Sequence, residues 1–200
     1  MRIVAGAWRG QTLLAPPGSA TRPTADRVRQ ALFDMLLHAP WGGRDAVVGA
    51  HVLDVFAGTG ALGLEALSRG AAHATFIEHD RAALVALRAN IAARRAQDRC
   101  TVLALDALSV PAGEACGLVF LDPPYRQDLV PRALARLRSV GWVASHALIV
   151  AETARDEAPP ATDALSERLH GAARISVWRE PTPKVGASGP KPLVGFRAEP

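Results

Sequence analysis

The chain predicts a doubly wound, Rossmann-like α/β fold on a mostly parallel sheet, and three observations carry that prediction. From residue 50 onward, short apolar runs alternate with longer stretches of helical period, the pattern of repeated βα units. The runs are apolar along their length, as in Gly117-Leu-Val-Phe-Leu121, which is what a strand buried on both faces requires. Four acids, Asp54, Glu78, Asp106 and Asp122, end four successive runs. That placement puts them on one edge, where open α/β sheets bind ligands.

Residues 1–15 read as a short hairpin, followed by the turn-rich Pro16-Pro-Gly-Ser19. Thr24-Ala-Asp26 opens a helix in which Val28, Leu32, Met35 and Leu36 recur at helical spacing, while Arg27, Gln30 and Asp34 lie on another face. Strands follow near 51–56, 73–78, 100–105, 117–121 and 146–151, with helices near 61–69, 81–95 and 128–139. Asp80 suits a helix cap, and Gly70 and Gly141 suit helix stops. Arg174-Ile-Ser-Val-Trp-Arg179 and Leu193-Val-Gly-Phe-Arg197 read as a final strand pair around a Pro/Gly-rich loop.

Two hundred residues, 49% of them hydrophobic, are enough for one full core and too few for two ordinary ones. A single domain spanning 1–200 is expected, with 1–44 a basic N-terminal extension packed on a 45–200 core. That extension holds Arg2, Arg9, Arg22, Arg27, Arg29 and Arg44 against Asp26 and Asp34, so 6 − 2 = +4, the net charge of the whole chain. A basic segment beside a neutral domain is the electrostatic footprint of a polyanion-binding protein, although an ordinary solvated arginine-rich helix gives the same count. Cys100 and Cys116 have no His or Cys partner at metal-ligand spacing and read as structural thiols; no metal is expected. The first residues lack the apolar stretch of a signal peptide and no membrane-span-length run follows, so a cytoplasmic, monomeric protein without a membrane partner is expected.

The chemistry concentrates in two motifs. Val52-Leu-Asp-Val-Phe-Ala-Gly-Thr-Gly-Ala-Leu-Gly63 is a strand and a glycine turn leading into a helix; Gly58, Gly60 and Gly63 satisfy G-x-G-x-x-G, with Glu78 closing the next strand. By spacing alone this is a dinucleotide site. Asp54, however, would repel a pyrophosphate and attract an ammonium or sulfonium group, which favours a cationic nucleoside such as S-adenosylmethionine. On that reading Glu78 accepts from the ribose hydroxyls, Asp106 accepts from the adenine amine, and Ala107 offers a backbone N–H. The second motif, Asp122-Pro123-Pro124-Tyr125, suits an exocyclic amine on a flat ring. Asp122 accepts hydrogen bonds, the prolines fix the backbone and leave carbonyls free, and Tyr125 offers a stacking face. The bland reading is a strand that ends in a Pro-Pro turn.

Together these residues resemble the class I S-adenosylmethionine-dependent methyltransferases, specifically the bacterial 16S rRNA (guanine(966)-N2)-methyltransferase family. Arg2-Ile-Val-Ala-Gly-Ala-Trp-Arg-Gly10, Thr21-Arg-Pro-Thr-Ala-Asp-Arg-Val-Arg-Gln-Ala-Leu-Phe33, the glycine block through Gly70, and Phe120-Leu-Asp-Pro-Pro-Tyr125 carry the likeness in order. The resemblance implies a seven-stranded sheet with an antiparallel last strand and a methyl donor held by Asp54, Phe56, Ala57, Gly58, Gly60, Glu78, Asp106 and Ala107. It also implies catalysis by the Asp122 tetrad on a guanine of 16S rRNA, free or in a small-subunit assembly particle, with Arg9, Arg22, Arg27 and Arg29 facing the RNA. Arg22 has a second reading, in which its place at the helix entry directs it to the donor's carboxylate. The stretch Pro181–Pro192 is longer than the link expected between the final strands. Open alternatives are an amino-methyltransferase acting on adenine or cytosine in DNA or on a protein glutamine, and a non-catalytic RNA-binding module.

Overall fold

Apolar runs with no polar face must be covered on both sides, and the structure meets that demand with helices on either face of one sheet. A computed structural model describes residues 1–16 and 23–182, with only the backbone of 23–25. In chain order the elements are α1 (Pro23–His38), β1 (His51–Val55), α2 (Ala61–Ser68), β2 (His73–Glu78), α3 (Arg81–Ala93), β3 (Cys100–Ala104), β4 (Cys116–Leu121), α4 (Leu129–Ser139), β5 (Val143–Ala154), β6 (Ser166–His170) and β7 (Ala173–Arg179). The seven strands form one sheet in the order β3-β2-β1-β4-β5-β7-β6. β1 to β5 are parallel, and β7 runs antiparallel to both of its neighbours.

The tail departs from the sequence expectation. β7 pairs with β5 on one side and with β6, Ser166–His170, on the other; the expected strand over Leu193–Arg197 lies outside the described residues. β6, Ser166-Glu-Arg-Leu-His170, is an edge strand largely open to solvent. β5 begins earlier and ends later than expected, with a register shift opposite Cys116–Leu118 and His146 at φ 61°. The caps agree with expectation: Asp80 accepts the Ala83 N–H at 2.8 Å, and Gly70 and Gly141 follow α2 and α4 at φ 106° and 84°.

One face of the sheet, with Val52, Phe76, Leu118, Phe120, Leu148 and Val150, packs on Leu32, Phe33 and Leu36 of α1 and on α2 and α3. The other, with Leu53, Val55, Ile77, Val119, Leu121 and Ile149, packs on Val130, Leu134 and Leu137 of α4. Side chains alternate between faces along a strand. Asp122 and Glu152, two residues beyond Phe120 and Val150, therefore belong to the α1 side. The register carries them together, because Leu121 pairs with Ala151 one step earlier.

The N-terminal segment is closed by an antiparallel bridge between Arg2 and Thr12. Helix side chains hold its backbone. Buried Glu65 of α2 accepts the N–H groups of Val4 and Ala5 at 2.8 and 3.0 Å, and Ser68 accepts from Trp8 and donates to the Ala5 carbonyl. Gly6, at φ 80°, has no room for a side chain, since a Cβ would stand 1.9 Å from the Ser68 carbonyl oxygen. Asn90 of α3 pairs with both backbone groups of Leu14 and donates to the Thr59 carbonyl, tying this segment to the glycine turn.

Candidate active site

The glycine turn after β1 is built by three glycines with different tasks. Gly58 (φ 56°) and Gly60 (φ 78°) take left-handed conformations that other residues rarely adopt. Gly63 is needed for contact, because a Cβ there would lie 2.4 Å from the Phe76 ring. A Cβ at Gly58 would meet no protein atom nearer than 4.0 Å, so the turn presents open space there, where a ligand can approach the backbone. Phe56, just before the turn, is at φ 61°, a strained conformation for an aromatic residue. Ala57 is buried beneath it.

Glu78 ends β2 beside this turn. Its Oε2 accepts the Gly58 N–H at 2.8 Å, while Oε1 accepts the N–H groups of His79 and Asp80. The acid thus fixes the turn before it meets any ligand. Asp54 differs from the sequence expectation of a carboxylate near the strand mouth. It lies opposite Phe76 and Phe120, two residues inside the edge, and Oδ2 accepts the Gly63 N–H of α2 at 2.8 Å. Burial pushes its pKa up to about 8; the Gly63 bond opposes that rise, and the charges of Asp122 and Glu78 add to it. Asp106 closes a local turn by accepting the Leu108 N–H at 2.8 Å and is otherwise exposed, next to buried Ala107.

The tetrad sits where β4 ends. Asp122 and Tyr125 line a cleft of about 340 Å³ together with Met1, Arg29, Leu32 and Glu152. Pro123 is buried and Pro124 exposed, and both line a neighbouring groove with Tyr125. The Tyr125 hydroxyl donates to Glu152 Oε1; burial first, and then this bond and the neighbouring carboxylate charges, raise the phenol well above its ordinary value. Asp122 is open on its cleft side and crowded on the others. Desolvation by the surrounding protein, with the like charge of Glu152, pushes it up to about 7.

Glu152 is the site residue missing from the sequence reading. Its signal was present: it follows the apolar run Ala147-Leu-Ile-Val-Ala151 as the acids 54, 78, 106 and 122 follow theirs. No Gly or Pro marks the strand end, so the pattern was easy to miss.

The expected RNA-facing arginines separate. Arg9 and Arg27 are exposed and share a groove with Arg2. Arg29 corrects the expectation of an exposed arginine: it is buried, donating to the Arg2 carbonyl and to Asp26 and pairing with Glu65, so its guanidinium is engaged in the joint between α1 and α2, at the wall of the cleft. Arg22 lies outside the described residues. Both cysteines are free thiols; burial raises Cys100 to about 11 and Cys116 to about 12. Among the described residues, no three His, Cys, Asp or Glu side chains are grouped to hold a metal, and no helix is long and apolar enough to cross a membrane.

The strand order, with antiparallel β7 between β5 and β6, and the glycine turn after β1 define a class I methyltransferase fold. Residues 1–178 match the family model described as conserved hypothetical protein 95. The ribosomal RNA small subunit methyltransferase D of Escherichia coli K12 is 43% identical over 166 residues, covering 82% of this chain and 80% of that protein. Its namesake in Haemophilus influenzae is 36% identical, covering 78% and 80%. A solved structure from Thermus thermophilus, described as a hypothetical protein, aligns with a TM-score of 0.68 at 32% identity, covering 88% of this chain and 98% of that one. The chain belongs to this family, the bacterial small-subunit ribosomal RNA methyltransferases resembled by its sequence blocks.

Proposed function

We propose that this protein is an S-adenosylmethionine-dependent methyltransferase acting on the exocyclic N2 of a guanine in 16S ribosomal RNA. The observation that carries the reading is Asp122, held at the end of β4 with one side open to a cleft and Tyr125 beside it. The 43% identity to a relative named for small-subunit ribosomal RNA supports the substrate class.

The residues at the glycine turn fit a nucleoside donor. Gly58 leaves space against the backbone, between Phe56, Ala57 and Gly60, and Glu78 Oε2 has lone-pair capacity beyond its single bond to Gly58 for a ribose hydroxyl. Asp106 and the Ala107 N–H suit the adenine edge. Asp54 acts from inside, holding α2 through Gly63. When bound, S-adenosylmethionine supplies a methyl group on a sulfonium centre. A guanine amine is a weak nucleophile because its lone pair is delocalised into the ring. Asp122 and the Pro123 carbonyl would accept its two N–H bonds, holding the nitrogen in line and stabilising the positive charge that develops there. The alkylated nitrogen then loses a proton through Asp122 to water. The base must leave its stack to enter the cleft, and the Tyr125 ring would compensate by roughly 1–3 kcal/mol of stacking.

Arg9 and Arg27 supply positive charge beside the cleft for the RNA backbone. The test is transfer of labelled methyl groups to unmodified small-subunit RNA, to assembly particles, to duplex DNA and to glutamine peptides. Label on a guanine N2 of the RNA is the expected result. Label confined to DNA or peptide, or failure to bind the donor, would overturn it.

A further inference from the structure

We propose that Glu152 is the specificity residue for this reaction, accepting the N1–H of guanine beside the amine that Asp122 holds. The proposal rests on the guanine-N2 reading above and adds the group that distinguishes guanine from the other amino-bearing bases.

The placement comes from register. Leu121 pairs with Ala151, so Asp122 and Glu152 are the next residues on adjacent parallel strands, which lie about 4.8 Å apart. Both side chains belong to the α1 face and both line the 340 Å³ cleft, whose other walls include Leu32, Val150 and Ile175. Apolar walls with two acceptors suit one flat polar ring. Tyr125 fixes Glu152 by donating to Oε1, and no hydrogen bond among the described residues engages Oε2. Glu152 thus offers one oxygen to the cleft.

The bases differ in what stands beside their amine. In guanine the N2 amine adjoins N1–H, two donors in a row. In adenine the N6 amine adjoins N1, and in cytosine the N4 amine adjoins N3, both acceptors. A wall carrying two carboxylates in a row satisfies the first arrangement and sets a lone pair against a carboxylate in the other two. The same mismatch disfavours the flipped pose of guanine, in which the acceptor N3 faces Glu152. Selection by Glu152 therefore fixes base identity and base orientation together. A positioning role through Tyr125 alone would leave discrimination at N1 unchanged, so the two roles separate experimentally.

The test substitutes 2-aminopurine for the target guanine in a small-subunit RNA fragment. This base keeps the amine but has an acceptor at N1. Wild-type protein is expected to methylate the guanine RNA with kcat/KM at least about tenfold higher than the 2-aminopurine RNA, the scale of one well-made base contact. Glu152→Gln keeps an oxygen for the Tyr125 hydroxyl and turns a donor toward N1, so it should reverse the preference; Glu152→Ala should bring the ratio near one. An unchanged ratio in Glu152→Gln, or equal use of the two RNAs by the wild type, overturns the proposal even where guanine N2 is confirmed as the target. Absence of guanine methylation by the wild type would instead remove the reading beneath it. The wild-type ratio does not depend on any variant folding.

Discussion

Arg29 of α1 and Glu65 of α2 form a buried ion pair, with Nε 3.5 Å from Oε2 and side chains 5% and 0% exposed. Glu65 also accepts from Val4, Ala5 and Arg69, while Arg29 also reaches Asp26 and the Arg2 carbonyl. One pair therefore joins the N-terminal segment, α1 and α2, the elements that wall the cleft.

Arg29→Ala leaves Glu65 buried with one cation fewer, and breaking such a pair costs about 3–5 kcal/mol. Denaturant unfolding should show that loss, with no change in the salt dependence of RNA affinity. Arg9→Gln and Arg27→Gln should do the reverse: stability nearly unchanged, and a log-salt slope smaller by up to about 0.7 for each lost contact to single-stranded RNA. A flattened slope in Arg29→Ala at full stability would return Arg29 to the RNA surface.

Asp122→Ala should lower methyl transfer at least about a hundredfold while leaving donor affinity nearly intact, as loss of a group acting in the transition state does. Tyr125→Phe keeps the ring and removes the hydroxyl that fixes Glu152. It should retain stacking but lose about tenfold in kcat/KM, with Tyr125→Ala worse. Single-turnover kinetics and donor calorimetry check both, and near-normal turnover in Asp122→Ala would remove Asp122 from the mechanism.

Asp122 has a pKa raised to about 7, first by desolvation and then by the charge of Glu152. Ionised Asp122 is the active form, so kcat/KM should fall as pH drops below that value. Glu152→Gln removes the like charge and leaves the desolvation. Its acid limb should move to lower pH without reaching the ordinary carboxylate range. A flat wild-type profile between about pH 5 and 8, or an unmoved limb in the variant, would contradict this assignment.

The central strands were legible because a parallel strand covered on both faces has to be apolar nearly throughout, and Gly117–Leu121 and Ala147–Ala151 could be little else. Ser166–His170 was not, because an edge strand exposed to solvent carries no such pattern, and its pairing with β7 is a tertiary fact. The edge acids were visible as residue types at strand ends. Their local duties were not: Glu78 and Asp54 both hold the glycine turn through backbone N–H groups whose direction only the fold determines. Glu65, Asn90 and Arg29 lie in helices that read as ordinary, and besides the local pairs Arg29–Asp26 and Glu65–Arg69 their side chains reach partners 27 or more residues away, which only the fold brings near. A charge count placed Arg29 with the surface arginines; its register beside Leu32, Phe33 and Leu36 places it inside.

Asp54 allows stability and donor binding to be separated. Its pKa rises from 3.8 to about 8, with burial the largest cause. Between those values the folded protein binds the proton more tightly than the unfolded chain does. The stabilisation is complete below the unfolded value and is lost as pH climbs through the window, by up to about 1.4 kcal/mol per pH unit. Asp54→Asn keeps an oxygen for the Gly63 N–H and carries no charge, so it lacks this dependence. Its unfolding midpoint should match the wild type near pH 3 or fall slightly below it, then exceed it at pH 8 by the equivalent of a few kcal/mol. If the Asp54 charge also attracts a cationic donor, the same variant should bind S-adenosylmethionine more weakly at pH 8 while being the more stable protein. Equal pH dependence in the two proteins would show that Asp54 is ionised in the fold, and equal donor affinity would confine it to holding α2.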